Sequence, residues 1–168
     1  YITAEKAELS FILAPRVETD CAFLFRFMMK PIVQEQPMGC AVACVASLLG
    51  TSYKRALVLF NNKPYAPTKG YYCKDISKAL KKRRLVYVWK KVLLGVNPLL
   101  NKEGVIVFIA RSKKYPAGHY LLKTDRGWMN PWINFPEIAP AKAGFQKRLP
   151  GKPQWIMYPK LSERNTPR

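Results

Sequence analysis

CKDISKALKKRRLVYVWKKVLL, residues 73–94, contains the change of period on which the fold turns. Its first half sets Ile76, Ala79 and Leu80 on one face at helical spacing and crowds lysine and arginine on the other, so it predicts a helix over 73–84. After Arg84 that spacing stops. LVYVWKKVLL is rich in Val, Leu and aromatic residues, as a half-buried strand requires, and GVIVFIARS, residues 104–112, repeats the signal after the turn-rich GVNPLLNKE.

Working outward, the strand character continues towards the C-terminus and the helical character towards the N-terminus. GHYLLKTDRGWMNPW, residues 118–132, reads as a hairpin with TDRG as its turn, and QWIMYP, residues 154–159, as the last strand. Upstream, NNKPYAPTKGYY, residues 61–72, reads as a loop from its Asn, Pro and Gly content. TSYKRALVLF, residues 51–60, is expected to be a helix capped by Thr51 or Ser52. Cys40 to Leu49 is almost wholly apolar or small and lies between Gly39 and Gly50, which suits a short central helix buried on all sides and closed by glycine. Helices first and strands afterwards predict an α+β fold, with helices packed on an antiparallel sheet.

Composition bounds what such a fold can do. The 168 residues suffice for about one domain, and 49% of them are hydrophobic. The division expected is an N-terminal extension over 1–30, one domain over 31–160 and a polar tail over 161–168. The chain carries 29 Lys and Arg against 10 Asp and Glu, a formal charge of +19. Residues 1–20 run against this trend, with four acidic and two basic residues. CAFLFRFMMK, residues 21–30, is too short for a membrane span and has Arg26 inside it, so it is expected to be a buried element of the core with no transmembrane segment. With no secretory signal, the expected location is cytoplasmic. The four cysteines, Cys21, Cys40, Cys44 and Cys73, contain no C-x-x-C pair, and one histidine cannot complete a Cys2His2 set, so no metal or organic cofactor is implied. A structural disulfide is not expected at that address.

The chemistry concentrates on VQEQPMGCAVACVASLLG, residues 33–50. A cysteine attacks as its thiolate, and a helix N-terminus stabilises that anion through free N–H groups. Cys40 holds this position directly after Gly39, whereas Cys44 lies a turn deeper and reads as packing. The only imidazole available as a base is His119, which opens a strand after Ala117 and Gly118. Asn130, on the neighbouring strand of the hairpin, can hold the ring tautomer through its amide, with Asp125 as the alternative. An oxyanion would be met by the Cys40 N–H and a glutamine side chain, either Gln34 or Gln36.

Gln34 six residues before Cys40, the apolar helix that Cys40 opens, GHYLL and NPW together resemble papain-like cysteine peptidases, most closely the bacteriocin-processing leader peptidases and their free-standing bacterial relatives. The resemblance spans about residues 32–132 and implies a papain-like architecture in which Cys40 attacks, His119 is the base, Asn130 orients it and Gln34 lines the oxyanion hole. Three positions depart from that family: Gly39 stands where an acidic residue is common, Asn130 where Asp is the commoner third residue in the leader-peptidase branch, and Ala41 where glycine is common, so Ala41 is expected to crowd a substrate glycine. The reaction implied is hydrolysis of a peptide bond in a peptide or protein substrate through a thioester. The same triad would serve an amidase or an acyl transferase.

A reading from another class rests on charge. Lysine and arginine at 81–84, 90–91 and 113–114 could form a basic face for nucleic acid or an anionic surface, with no catalysis. They are spread over several elements, and no recognition helix or single-strand motif accompanies them. On the peptidase reading, the cationic surface would select acidic substrates or hold the enzyme on an anionic partner.

Overall fold

The computed structural model describes residues 29–93, 98–137 and 140–160. Among these residues four short α-helices precede six strands: α1 (Cys40–Leu48), α2 (Tyr53–Leu57), α3 (Tyr65–Thr68) and α4 (Cys73–Lys81), then β1 (Tyr87–Lys91), β2 (Ile106–Ile109), β3 (His119–Thr124), β4 (Gly127–Asn130), β5 (Gly144–Gln146) and β6 (Pro153–Pro159). The fold is α+β, as the order of periodicities predicts.

α1 is the hub. Ala41 through Leu48 are all buried, and Val42, Val45 and Leu48 would each contribute about 1.5–3 kcal/mol by leaving water. The helix stops because Gly50 takes a left-handed φ of 59°, which lets the Gly50 N–H donate to the Ser47 carbonyl and the Thr51 N–H to that of Ala46. This is the glycine closure that the sequence calls for. Ser52 then caps α2 by accepting from the Arg55 N–H at 3.3 Å. In α4 the exposed lysines face out while Ile76, Ala79 and Leu80 are buried. The helix begins where the Tyr72 N–H donates to the Asp75 carboxylate at 3.0 Å.

The sheet order is β1-β6-β2-β3-β4-β5, with every neighbouring pair antiparallel. β6, last in sequence, lies between β1 and β2, so the first two strands never touch. One face carries Ile106, Tyr120, Leu122, Met129 and Met157 against the helices. The other carries Val107, Ile109, Leu121, Trp128 and Ile156 against Tyr115 and the half-buried Leu99, Leu100 and Phe135. This alternation along each strand follows from the two-residue period of the pleat.

Several expectations needed correction. The 61–72 segment is not all loop, because α3 forms inside it, with the Thr68 hydroxyl donating to the Pro64 carbonyl at 2.6 Å. α2 ends at Leu57 and α4 at Lys81, each shorter than its periodic pattern. β5 had no sequence signal. Of the 21–30 run only Met29 and Lys30 are described, Met29 buried and Lys30 exposed; the rest of that run, and the 161–168 tail, lie outside the described residues. Among the described residues no helix is long and apolar enough to cross a membrane.

Candidate active site

Four sequence neighbourhoods converge at one end of the sheet. The first is the turn Tyr115-Pro116-Ala117-Gly118, where the Gly118 N–H donates to the Tyr115 carbonyl at 3.0 Å and Gly118 takes φ 76°. Proline at the second position and glycine at the fourth are the residues such a turn favours. Gly118 has no room for a side chain: a Cβ there would run into the Phe108 ring and lie 2.8 Å from the Ile109 carbonyl oxygen. The turn folds Tyr115 back onto β3, so that its ring stacks on His119 with centroids 4.5 Å apart and planes 8° from parallel.

The second is the β3–β4 hairpin. Its register pairs Leu122 with Met129 and Lys123 with Trp128, so Asn130 continues opposite Leu121 with its side chain on the His119 face. The His119 Nε2 and the Asn130 Oδ1 are 2.9 Å apart, and both residues are buried. Asp125, by contrast, is exposed in the hairpin turn and accepts from the Arg126 N–H at 2.8 Å.

Hydrogen bonds around Asn130 decide the direction of that contact. The Trp132 backbone N–H, which can only donate, reaches the Asn130 Oδ1 at 2.9 Å. The Asn130 Nδ2 donates to the Tyr115 hydroxyl at 3.0 Å and to the Gln146 Oε1 at 3.2 Å. The Gln146 amide is itself oriented, because its Nε2 donates to the Arg148 carbonyl at 2.8 Å. The Asn130 oxygen therefore faces the ring, Nε2 carries the hydrogen, and in the neutral imidazole Nδ1 keeps the lone pair. Tyr115, Trp132 and Gln146 were not singled out from the sequence. Tyr115 could have been, four residues before His119 across a Pro-Gly turn; Gln146 carries no such signal.

The third neighbourhood is the start of α1. Gly39 offers no capping side chain, and the Cys40 sulfur itself faces the N–H groups of Ala41 and Cys40 and, from β3, that of Tyr120. The thiol is thus held against the residue that follows His119. Among the described residues no hydrogen bond joins the Cys40 sulfur to the His119 ring. Burial explains the resting state. It pushes the Cys40 thiol up to about 11 despite those three donors, and pushes His119 down to about 4 against the opposing pull of Asn130, with Lys114 adding to the fall. The expectation that the helix terminus by itself poises a thiolate is therefore corrected: thiol and ring both rest neutral, so no ion pair joins them. Cys44 is fully buried, and burial raises its thiol well above the usual range.

Gln34 belongs to the fourth. Its N–H donates to the Pro131 carbonyl at 3.3 Å, tying it to the residue after Asn130. Its amide Nε2 donates to the Gln36 carbonyl at 3.2 Å and to that of Pro37 at 2.9 Å, bracing the turn that presents Cys40. Three buried polar atoms here have no partner among the described residues: Gln34 Oε1, Gln36 Oε1 and the Tyr53 hydroxyl. The Tyr53 hydroxyl occupies the space that a side chain at Gly39 would need.

A groove of about 890 Å³ opens beside Cys40, between the 69–74 segment on the helical side and the strand ends bearing Phe108, Gly118, Tyr120 and Trp155. Of the four residues expected at the site, Cys40 alone lines it; His119, Asn130 and Gln34 do not. Ala41 is fully buried in the core, so its methyl does not narrow the groove. No protein-family model matches the sequence, and no curated protein matches it either.

Proposed function

We propose that this protein is a cysteine peptidase of papain-like architecture, and that Cys40, His119 and Asn130 perform its chemistry. The observation that carries the reading is the tautomer set by Asn130: the Trp132 N–H turns the amide oxygen to the Nε2–H and leaves the Nδ1 lone pair free, on the residue next to the N–H that holds the Cys40 sulfur.

In the proposed reaction the sulfur attacks the scissile carbonyl carbon while its proton passes to the His119 Nδ1. The carbonyl electrons move onto oxygen, which the Cys40 N–H and one Gln34 amide hydrogen receive in place of the Gln34 contact with the Gln36 or Pro37 carbonyl. Collapse expels the amine, which takes the proton from Nδ1, and a thioester remains. Water then attacks the thioester carbon and gives a proton to Nδ1; the C–S bond breaks, the acid leaves, and the departing sulfur takes the proton back from Nδ1. Catalytic contacts are commonly loose before substrate binds, and here substrate would bring the sulfur and Nδ1 together.

The test is hydrolysis of a randomised peptide library by the full chain, read by mass spectrometry, alongside labelling by a peptidyl vinyl sulfone. Cleavage and labelling at Cys40 should both disappear in Cys40→Ala and His119→Ala and persist in Cys44→Ala. Cleavage that survives Cys40→Ala, or label spread equally over Cys44 and Cys73, would refute the assignment.

A further inference from the structure

We infer that the groove beside Cys40 selects an extended peptide that carries acidic side chains together with one bulky apolar side chain. The inference rests on the peptidase reading in taking the ligand to be a peptide, and it adds what kind. Among the described residues three cations line the groove, Lys69 and Lys74 on the helical side and Arg111 just past the end of β2, and no aspartate or glutamate does. All three are exposed, so their charges face solvent at the groove. The nearest carboxylate along the chain, Asp75, is occupied in capping α4 by accepting from the Tyr72 N–H. Lys69 also lies over the Tyr65 ring at 3.9 Å, which restrains its stem beside the groove.

The apolar part of the specificity comes from two aromatic residues on opposite sides. Tyr72 on the helical side is 70% exposed and Trp89 on β1 is 44% exposed, and both line the groove. Behind them Trp155, Phe108 and Tyr120 follow one another across β6, β2 and β3 by register. A large apolar side chain entering between Tyr72 and Trp89 would cover surface that the fold leaves in water. The thiol that lines the groove favours a peptide over a single-stranded nucleic acid, which would use the same cations and rings for stacking.

The experiment uses the full chain with Cys40→Ala, so that binding is read without turnover. Calorimetry would compare a decapeptide containing Glu and one Leu, its counterpart with Lys for Glu, its counterpart with Gly for Leu, and a mixed-sequence single-stranded oligonucleotide. The acidic peptide is expected to bind tightest. Lys74→Glu or Arg111→Glu should weaken it by about fivefold or more at low salt, and Trp89→Ala should remove the preference for Leu. Far-ultraviolet circular dichroism would establish that these surface variants stay folded. Equal binding of the Glu and Lys peptides, charge reversals without effect, or an oligonucleotide that competes for the groove and loses affinity in Trp89→Ala would each overturn the inference, even if the wild type cleaves peptides. If the wild type cleaves nothing while Cys40→Ala binds the acidic peptide as described, the peptidase reading fails and the groove specificity stands.

Discussion

Removing the titration of His119 should flatten the acid side of the stability profile. The ring is buried and its pKa falls from 6.5 to about 4, mainly because burial disfavours the imidazolium. The unfolded chain takes up the proton as pH drops below 6.5, whereas the folded chain resists until about 4. Unfolding is therefore coupled to proton uptake in that window, and stability rises with pH through it. The contribution is fully present above the unfolded value and lost as pH falls towards the folded one, and it amounts to about 3 kcal/mol. His119→Gln keeps an amide that can donate to the Asn130 oxygen but does not titrate. Urea unfolding of both proteins between about pH 7 and about pH 4 gives the difference directly, with carboxylate effects common to both cancelling. Wild type should lose about 3 kcal/mol more than the variant across that range. Because the chain has one histidine, nitrogen-15 spectra of its ring report both pKa and tautomer without ambiguity. A folded-state titration near 6.5, or a hydrogen on Nδ1, would show that the burial and the Asn130 contact have been misread.

Two further outcomes concern packing around the same residues. Gly39→Ala would drive a methyl into the Tyr53 hydroxyl and should destabilise the protein by about 1–3 kcal/mol, with much of the loss recovered in the double variant with Tyr53→Phe; denaturant midpoints that fail to show this rescue would place the clash elsewhere. Tyr115→Phe removes the acceptor of the Asn130 Nδ2 bond but keeps the stacked ring, so it should cost about 1 kcal/mol and leave the His119 titration low. A large rise in that titration would mean that the hydroxyl, not the ring, sets the environment.

Most of the fold was legible because its elements announce themselves by period. α1 and the strands after Arg84 are long or apolar enough for tertiary packing to agree with local pattern. α3 and β5 were not legible for the opposite reason. α3 is a four-residue turn of helix between prolines and lysines, and β5 is three half-buried residues held by pairing to β4. At the site, residue type and chain order brought out Cys40, His119, Asn130 and Gln34, and hairpin register explains why two of them meet. What chain order could not supply is desolvation. A cysteine at a helix start reads as an activated thiol until the surrounding core is known, and here that core outweighs three N–H donors.

The choice of asparagine at position 130 follows from a directed chain of hydrogen bonds that begins well away from the sulfur. The Arg148 carbonyl fixes the Gln146 amide, whose oxygen accepts from the Asn130 Nδ2; the Trp132 N–H fixes the other end, and the ring receives the remaining lone pair. Aspartate would keep the oxygen facing Nε2 but would set a second oxygen against the Gln146 Oε1. Gln146 would then have to turn over and give up its bond to Arg148, while the Tyr115 hydroxyl would turn its hydrogen from the Trp132 carbonyl to the carboxylate. Asn130→Asp should therefore raise the His119 pKa from about 4, because a carboxylate favours the imidazolium, and also lower stability at neutral pH. The two effects separate in a Gln146→Met background. There the opposing oxygen is gone, so the stability loss should shrink by about 1 kcal/mol while the rise in the ring's pKa remains. If the two substitutions instead add without coupling, Gln146 does not dictate the residue at 130, and the polarity of the network must be set by Trp132 alone.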